Sequence, residues 1–133
     1  MLKENFTIAV DFDGTIVEDA YPKIGKPMIF AFETLKALQS QGHRLILWTY
    51  RDGVKLNEAV TFCEENDIIF YAVNKSYPEE VYSEKISRKI NADYFIDDRN
   101  IGGLRQWGEI HQQLIGESAP LSTTTKKKNW FGF

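Results

Sequence analysis

The chain is short of the features that mark several special classes of protein. It has one cysteine in 133 residues, which excludes an internal disulfide framework and fits a reducing compartment. It has no excess of positive charge. With 16 Lys and Arg against 19 Asp and Glu, the formal net charge is −3, so no overall basic field draws nucleic acid, although a local patch is still compatible with it. No apolar stretch approaches the roughly 18 residues of a transmembrane span, and residues 1–5 carry no apolar signal-peptide region. The expectation is a soluble, cytoplasmic protein. Without a signal peptide, the two glycosylation patterns Asn5-Phe6-Thr7 and Asn74-Lys75-Ser76 are read as coincidence. No repeat and no internal linker interrupt the chain before residue 116.

What is present suits a globular domain. A hydrophobic content of 43% and an aromatic content of 14% argue against a chain that stays unfolded, and 133 residues are enough for one self-sufficient core. Residues 6–11, 45–48, 68–73 and 94–96 are apolar runs rich in β formers, read as four strands. Met28, Ala31, Phe32, Leu35 and Leu38 recur at helical spacing behind Pro27 and before Gly42, so a helix is expected to begin at Pro27. Leu56, Ala59, Val60 and Cys63 mark a second helix, with Cys63 on its core face. Residues 79–90 are expected to form a more polar helix with Val81 and Ile86 inward. Leu104, Trp107, His111 and Leu114 mark a last helix ending at Gly116, with His111 a satisfied core or tail-contacting residue. Continuous apolar strands alternating with helices imply a mostly parallel sheet covered on both faces. The expected fold is therefore a three-layer, doubly wound, Rossmann-like α/β domain over residues 1–116. Residues 117–133 change composition and end in Lys126-Lys127-Lys128-Asn129-Trp130-Phe131-Gly132-Phe133. They are read as a tail whose aromatics dock on this chain or on a neighbouring copy, which leaves a homo-oligomer open. On composition alone a loose tail explains them as well.

In such sheets ligands bind beyond the carboxyl ends of the strands, and the polar residues of interest fall there. Asp11 and Asp13, at i and i+2 on an extended backbone, point to the same side. Two carboxylates so close do not both ionise freely unless a cation joins them or one keeps its proton. One could hold a hard cation such as Mg²⁺ and attack phosphorus while the other donates a proton to the leaving oxygen. Gly14 permits a sharp exit and is expected to leave backbone amides free to face an anion, which makes Gly14 and Thr15 candidate substrate contacts. Taken alone, Asp11-Phe12-Asp13-Gly14 is equally an acidic turn. Thr49 closes the second strand with a hydroxyl that can donate to a phosphoryl oxygen, or with a simple cap. Asp97-Asp98 closes the fourth strand and is either a cation site or an acidic turn paired to Arg99. Lys85 and Lys89 precede that strand, and either could neutralise a transferring phosphoryl group or sit solvated on a helix. Tyr21, Tyr50 and Arg51 lie near the same strand ends and are candidate substrate contacts.

Together these motifs resemble the haloacid dehalogenase (HAD) superfamily of hydrolases. Asp11-Phe12-Asp13-Gly14-Thr15 behind Ile8-Ala9-Val10 resembles its first motif, Thr49 the second and Asp97-Asp98 the fourth. The resemblance spans about residues 6–115 and implies a Mg²⁺-dependent phosphomonoester hydrolase. It implies Asp11 as a nucleophile that forms an aspartyl-phosphate, and Asp13 as general acid/base. It also implies Mg²⁺ held by Asp11, Asp13 through its backbone carbonyl, and an acid of the fourth motif, with Asp98 the direct ligand and Asp97 in support. For the third motif it points to Lys89, ahead of Lys85, although the proline that often follows this lysine is missing in Lys89-Ile90-Asn91-Ala92-Asp93. The gaps between motifs hold no cap domain, so a capless member with a phosphorylated substrate of open class is expected. The rival is a regulatory or non-catalytic phosphate-binding module, such as a response-regulator receiver. In those domains the third strand ends in the phosphorylated Asp, whereas here it ends in Val73-Asn74-Lys75.

Overall fold

The computed structural model describes residues 5–116; the tail at 117–133 and its expected docking lie outside the described residues. The elements run β1 (Thr7–Val10), α1 (Ala31–Ser40), β2 (Arg44–Leu47), α2 (Gly53–Glu65), β3 (Ala72–Val73), β4 (Tyr94–Ile96) and α3 (Trp107–Ile115). The four strands form one sheet in the order β3-β2-β1-β4, and every pairing is parallel. This is an α/β fold with flanking helices. Among the described residues no helix is long and apolar enough to cross a membrane.

Alternation along the strands divides the core in two. Ile8, Val10, Leu45, Leu47 and Ile96 point into a large cluster with Phe32 and Leu35 of α1, Ala59 and Cys63 of α2, and Trp107 and Ile110 of α3. All three helices thus cover one face. The opposite face carries a smaller cluster of Ala9, Ile46, Ala72 and Ile90. The chain reaches that face because the sheet winds outward from β1 through β2 to β3 and then crosses back to β4.

That return crossover is not the helix expected over residues 79–90. The Ser83 and Ser87 hydroxyls accept the backbone N–H groups of Lys85 and Lys89, local bonds that compete with the helical ladder. Farther apart, the Ser76 hydroxyl accepts the Asn91 N–H and the Glu80 carboxylate accepts the Ser76 N–H. Val81 and Ile86, expected inward, are 83% and 38% exposed, and Ile90 is the buried anchor instead. The second layer is therefore an irregular strap.

Three smaller differences have local causes. The first helix starts at Ala31 and not at Pro27, because Val17 pairs with Pro27 and the Met28 N–H donates to Ile16 O. This two-stranded flap holds residues 26–28 extended, and the chain then turns through Phe30 at φ 69°. The third strand shrinks to Ala72–Val73, since Ile68 is still tied to the end of α2 through the Cys63 carbonyl and pairing with β2 begins at the bond from the Tyr71 N–H to Leu45 O. His111 is buried in α3 as expected, but its Nδ1 has no hydrogen-bond partner among the described residues. Cys63 is buried in the core as expected, and burial pushes its thiol up to about 12, so it carries little thiolate.

Candidate functional site

The sheet brings the acids together. Val10 pairs with Ile96, and the Asp11 N–H donates to Ile96 O at 2.9 Å, so the end of β1 lies beside Asp97 and Asp98. On its other side, the Trp48 N–H donates to Val10 O at 2.9 Å, which brings in Thr49. Asp11, Asp97 and Asp98 each offer a carboxylate oxygen, and these atoms lie within 4.8 Å of one another. Such a like-charge cluster suits a hard divalent cation with oxygen ligands.

Thr15 pins this cluster from below. Its hydroxyl donates toward Asp11 Oδ2 at 3.1 Å and Asp98 Oδ1 at 3.4 Å, sharing one proton between them, and accepts the Asp98 N–H at 3.0 Å. The Thr15 carbonyl accepts the Trp107 indole N–H at 2.9 Å, which ties α3 to the same point. Burial, the hydrogen bond with Asp98 and the charge of Asp97 together raise the Asp11 carboxyl to about 7, against the opposing bonds from the Phe12 backbone and the Thr15 hydroxyl. Without a cation, the cluster therefore keeps a proton near neutrality.

Asp13 has a different environment. Arg51 is 1% exposed and donates Nε–H to Asp13 Oδ2 at 2.8 Å and Nη2–H to Asp13 Oδ1 at 2.7 Å. Its remaining donors reach the carbonyls of Pro22, Lys23 and Lys55. All five guanidinium N–H groups are thereby used, and the Asp13 bond raises the Arg51 pKa further. The guanidinium also lies over the rings of Phe12 and Tyr21, at 5.1 and 5.2 Å from their centroids. It fastens the flap, the first helical turn of α2 and Asp13 together.

A cavity of about 730 Å³ opens over these acids. Of the expected residues, Asp11, Asp13, Thr49, Tyr50, Asp97 and Asp98 line it, and so does Tyr21. The others stand elsewhere. Arg51 is buried and fully bonded, so it is a clamp and not a substrate contact. Thr15 is fully buried and holds acids instead of substrate. Gly14 does not offer a free amide: its N–H donates to Val17 O, and those of Thr15, Ile16 and Val17 donate to Phe12 O. Its role is steric, since at φ 80° a Cβ would collide with the Asp98 carboxylate. Asp13 is expected among the metal residues through its backbone carbonyl; its carboxylate lies outside the three-acid cluster, held by Arg51. Lys89 does not line the cavity, and its ammonium stands 5.8 Å from the centroid of the Phe95 ring. Lys85 is exposed and does not line it either. Among the described ion pairs none joins Arg99 to Asp97 or Asp98.

Sequence reasoning gave Asp19 and Asn74 no role and saw Arg99 only as an ion-pair partner of Asp97-Asp98. Asp19 and Arg99 line the cavity. The Asn74 side chain accepts the Thr49 N–H at 2.8 Å from a left-handed backbone at φ 57°. An asparagine directly after a strand is the available signal, because it tolerates that conformation better than most residues.

No family model and no curated protein matches the chain. Among solved structures, it matches that of a conserved protein coded by a locus from Bacteroides thetaiotaomicron. The two are 55% identical with a TM-score of 0.78, over 86% of this chain and 92% of that one.

Proposed function

The chain belongs to one family with that conserved Bacteroides thetaiotaomicron protein, and we propose that it is a capless phosphomonoester hydrolase of the haloacid dehalogenase type, dependent on Mg²⁺. The observation that carries this reading is the convergence of Asp11, Asp97 and Asp98 from two neighbouring strand ends, with the Asp11 carboxyl raised to about 7. A protein keeps such a repulsive cluster at a stability cost, and a bound cation removes that cost.

Asp11, Asp97 and Asp98 would hold Mg²⁺, which when bound neutralises their charge and that of a phosphoryl oxygen. The chain's own groups do the rest. An Asp11 carboxylate oxygen attacks phosphorus, the bond from phosphorus to the leaving oxygen breaks, and an aspartyl-phosphate forms. Asp13, having taken up a proton as the ester binds, passes it to the departing oxygen. It then takes a proton from the water that attacks the phosphorus of the aspartyl-phosphate, which releases phosphate and restores Asp11. Arg51 engages both Asp13 oxygens and leaves each a further lone pair for that proton. The Thr49 hydroxyl oxygen accepts the Arg51 backbone N–H at 3.1 Å, so its hydroxyl proton is available for a phosphoryl oxygen. Lys89 receives no role in this scheme, and Arg99 is the basic side chain that lines the cavity.

The test is hydrolysis of an aryl phosphate with Mg²⁺ and with a chelator. Turnover is expected only with the metal, and Asp11→Asn should reduce it by about 10⁴-fold or more. Wild-type rates in Asp11→Asn would refute the nucleophile assignment. An inactive wild type across a broad phosphoester panel would favour a regulatory phosphate-binding module.

A further inference from the structure

We propose that the cavity beside Asp11 takes a phosphomonoester whose leaving group carries a flat aromatic or heteroaromatic ring and no second anionic group. This rests on the phosphatase reading and names its substrate class. Three features of the cavity wall support it.

The first is aromatic surface, of which the fold uses only Trp48 in part, packed against the smaller core cluster. Tyr21, Trp48 and Tyr50 line the cavity, and none makes a ring-to-ring contact with another described aromatic. Tyr50 is 95% exposed, so packing does not account for it. Tyr21 is 48% exposed and lies against the Arg51 guanidinium, which five hydrogen bonds immobilise. A half-open ring on an immobile support is preorganised for stacking and loses little entropy when it binds.

The second is charge. Asp11, Asp13, Asp19, Asp97 and Asp98 line the cavity against one basic side chain, Arg99. Arg51 neutralises Asp13 from behind, but the remaining acids still outnumber the positive charge. A divalent cation can offset one phosphate there. A second phosphate or a carboxylate on the substrate would be repelled.

The third is a shortage of neutral hydrogen-bonding groups. Apart from the tyrosine hydroxyls and the Trp48 indole, Thr49 is the neutral polar side chain on the wall, and Asp19 already accepts the Tyr21 N–H. Recognition of a polyol phosphate requires several directed polar contacts, and beyond the acids and Arg99 this wall offers few. The volume of about 730 Å³ is ample for a ring-bearing monoester.

Benzyl phosphate and cyclohexylmethyl phosphate separate these possibilities, because their leaving alcohols are similar in size and basicity and differ in flatness. With Mg²⁺, kcat/KM is expected to be about tenfold higher for benzyl phosphate, the scale of ring-on-ring stacking, with the difference in KM. A 4-carboxybenzyl phosphate should lose that advantage. Tyr50→Ala and Tyr21→Leu should each move the benzyl-to-cyclohexylmethyl ratio toward one. The ratio is the readout, so partial unfolding of a variant does not imitate the effect. Ethyl phosphate serves as the ring-free reference. If wild type hydrolyses it but shows a ratio near one, or if both variants keep the wild-type ratio, the substrate class is overturned and the phosphatase reading stands. If wild type turns over none of these esters, both fall.

Discussion

Asp11 and Asp13 are two residues apart at the end of one strand, yet their surroundings differ in kind. Asp11 faces Asp97 and Asp98 and has its carboxyl raised to about 7. Asp13 accepts both arms of a buried guanidinium that has no donor left over. The first site gathers like charges, and in the proposed function a cation offsets them. The second is complete within the chain. One short motif can therefore supply a reactive carboxylate and an oriented one, provided that the environments are separated by tertiary contacts.

The sharpest way to break this contrast is Asp11→Asn, with the loss of about 10⁴-fold or more in turnover already stated; a variant that stayed active would take the reactive role away from Asp11. Next in size is Arg51→Met. Removing one partner of a buried ion pair costs about 3–5 kcal/mol, to be read from urea unfolding. Arg51→Lys should recover only part of it, since an ammonium cannot span both Asp13 oxygens. An Arg51→Met protein as stable as wild type would mean the clamp is ornamental.

The third prediction concerns pH. The Asp11 carboxyl lies at about 7 when folded against 3.8 as reference, so between those values the folded chain binds more protons than the unfolded one. Its contribution to stability then falls as pH rises through that window. Asp11→Asn removes this slope. The Tm of the variant should gain on wild type from about pH 4 to about pH 8, and Mg²⁺ should raise the wild-type Tm more at the upper end than at the lower. Burial lowers the pKa of His43 and His111 and gives them the opposite slope, but both proteins share it and the difference cancels it. A flat difference would remove Asp11 from the repulsive cluster.

The smallest expected effect is that of Thr15→Val. Losing a buried hydroxyl that serves Asp11 and Asp98 should cost about 1–3 kcal/mol and weaken Mg²⁺ binding measured by calorimetry, whereas Thr15→Ser should restore most of both. Unchanged metal affinity in the valine variant would show that Thr15 only packs.

The helical face of the sheet was largely legible in advance, and the opposite face was not. Ala31, Phe32, Leu35 and Leu38, or Ala59 and Cys63, follow a 3.6-residue period because one side of each helix meets the large core. Residues 79–90 have no such stripe. There Ser83 and Ser87 satisfy nearby backbone amides, and the prediction of a helix failed on that local competition. Lys89, placed at the active centre by the resemblance, does not line the cavity and stands over Phe95.

The acids at the strand ends could be placed from residue order alone, because an apolar run that stops at Asp11, Thr49 or Asp97 puts those groups at the rim of a parallel sheet whatever the details of packing. Which acid would stay in repulsion and which would be neutralised was not in that pattern. Arg51 lies 38 residues from Asp13, and Thr15 lies 83 from Asp98. Those meetings depend on the register of β1 against β4 and on closure of the flap over Arg51. Short-range periodicity places the groups at the rim, and long-range contacts give each one its partner and its charge state.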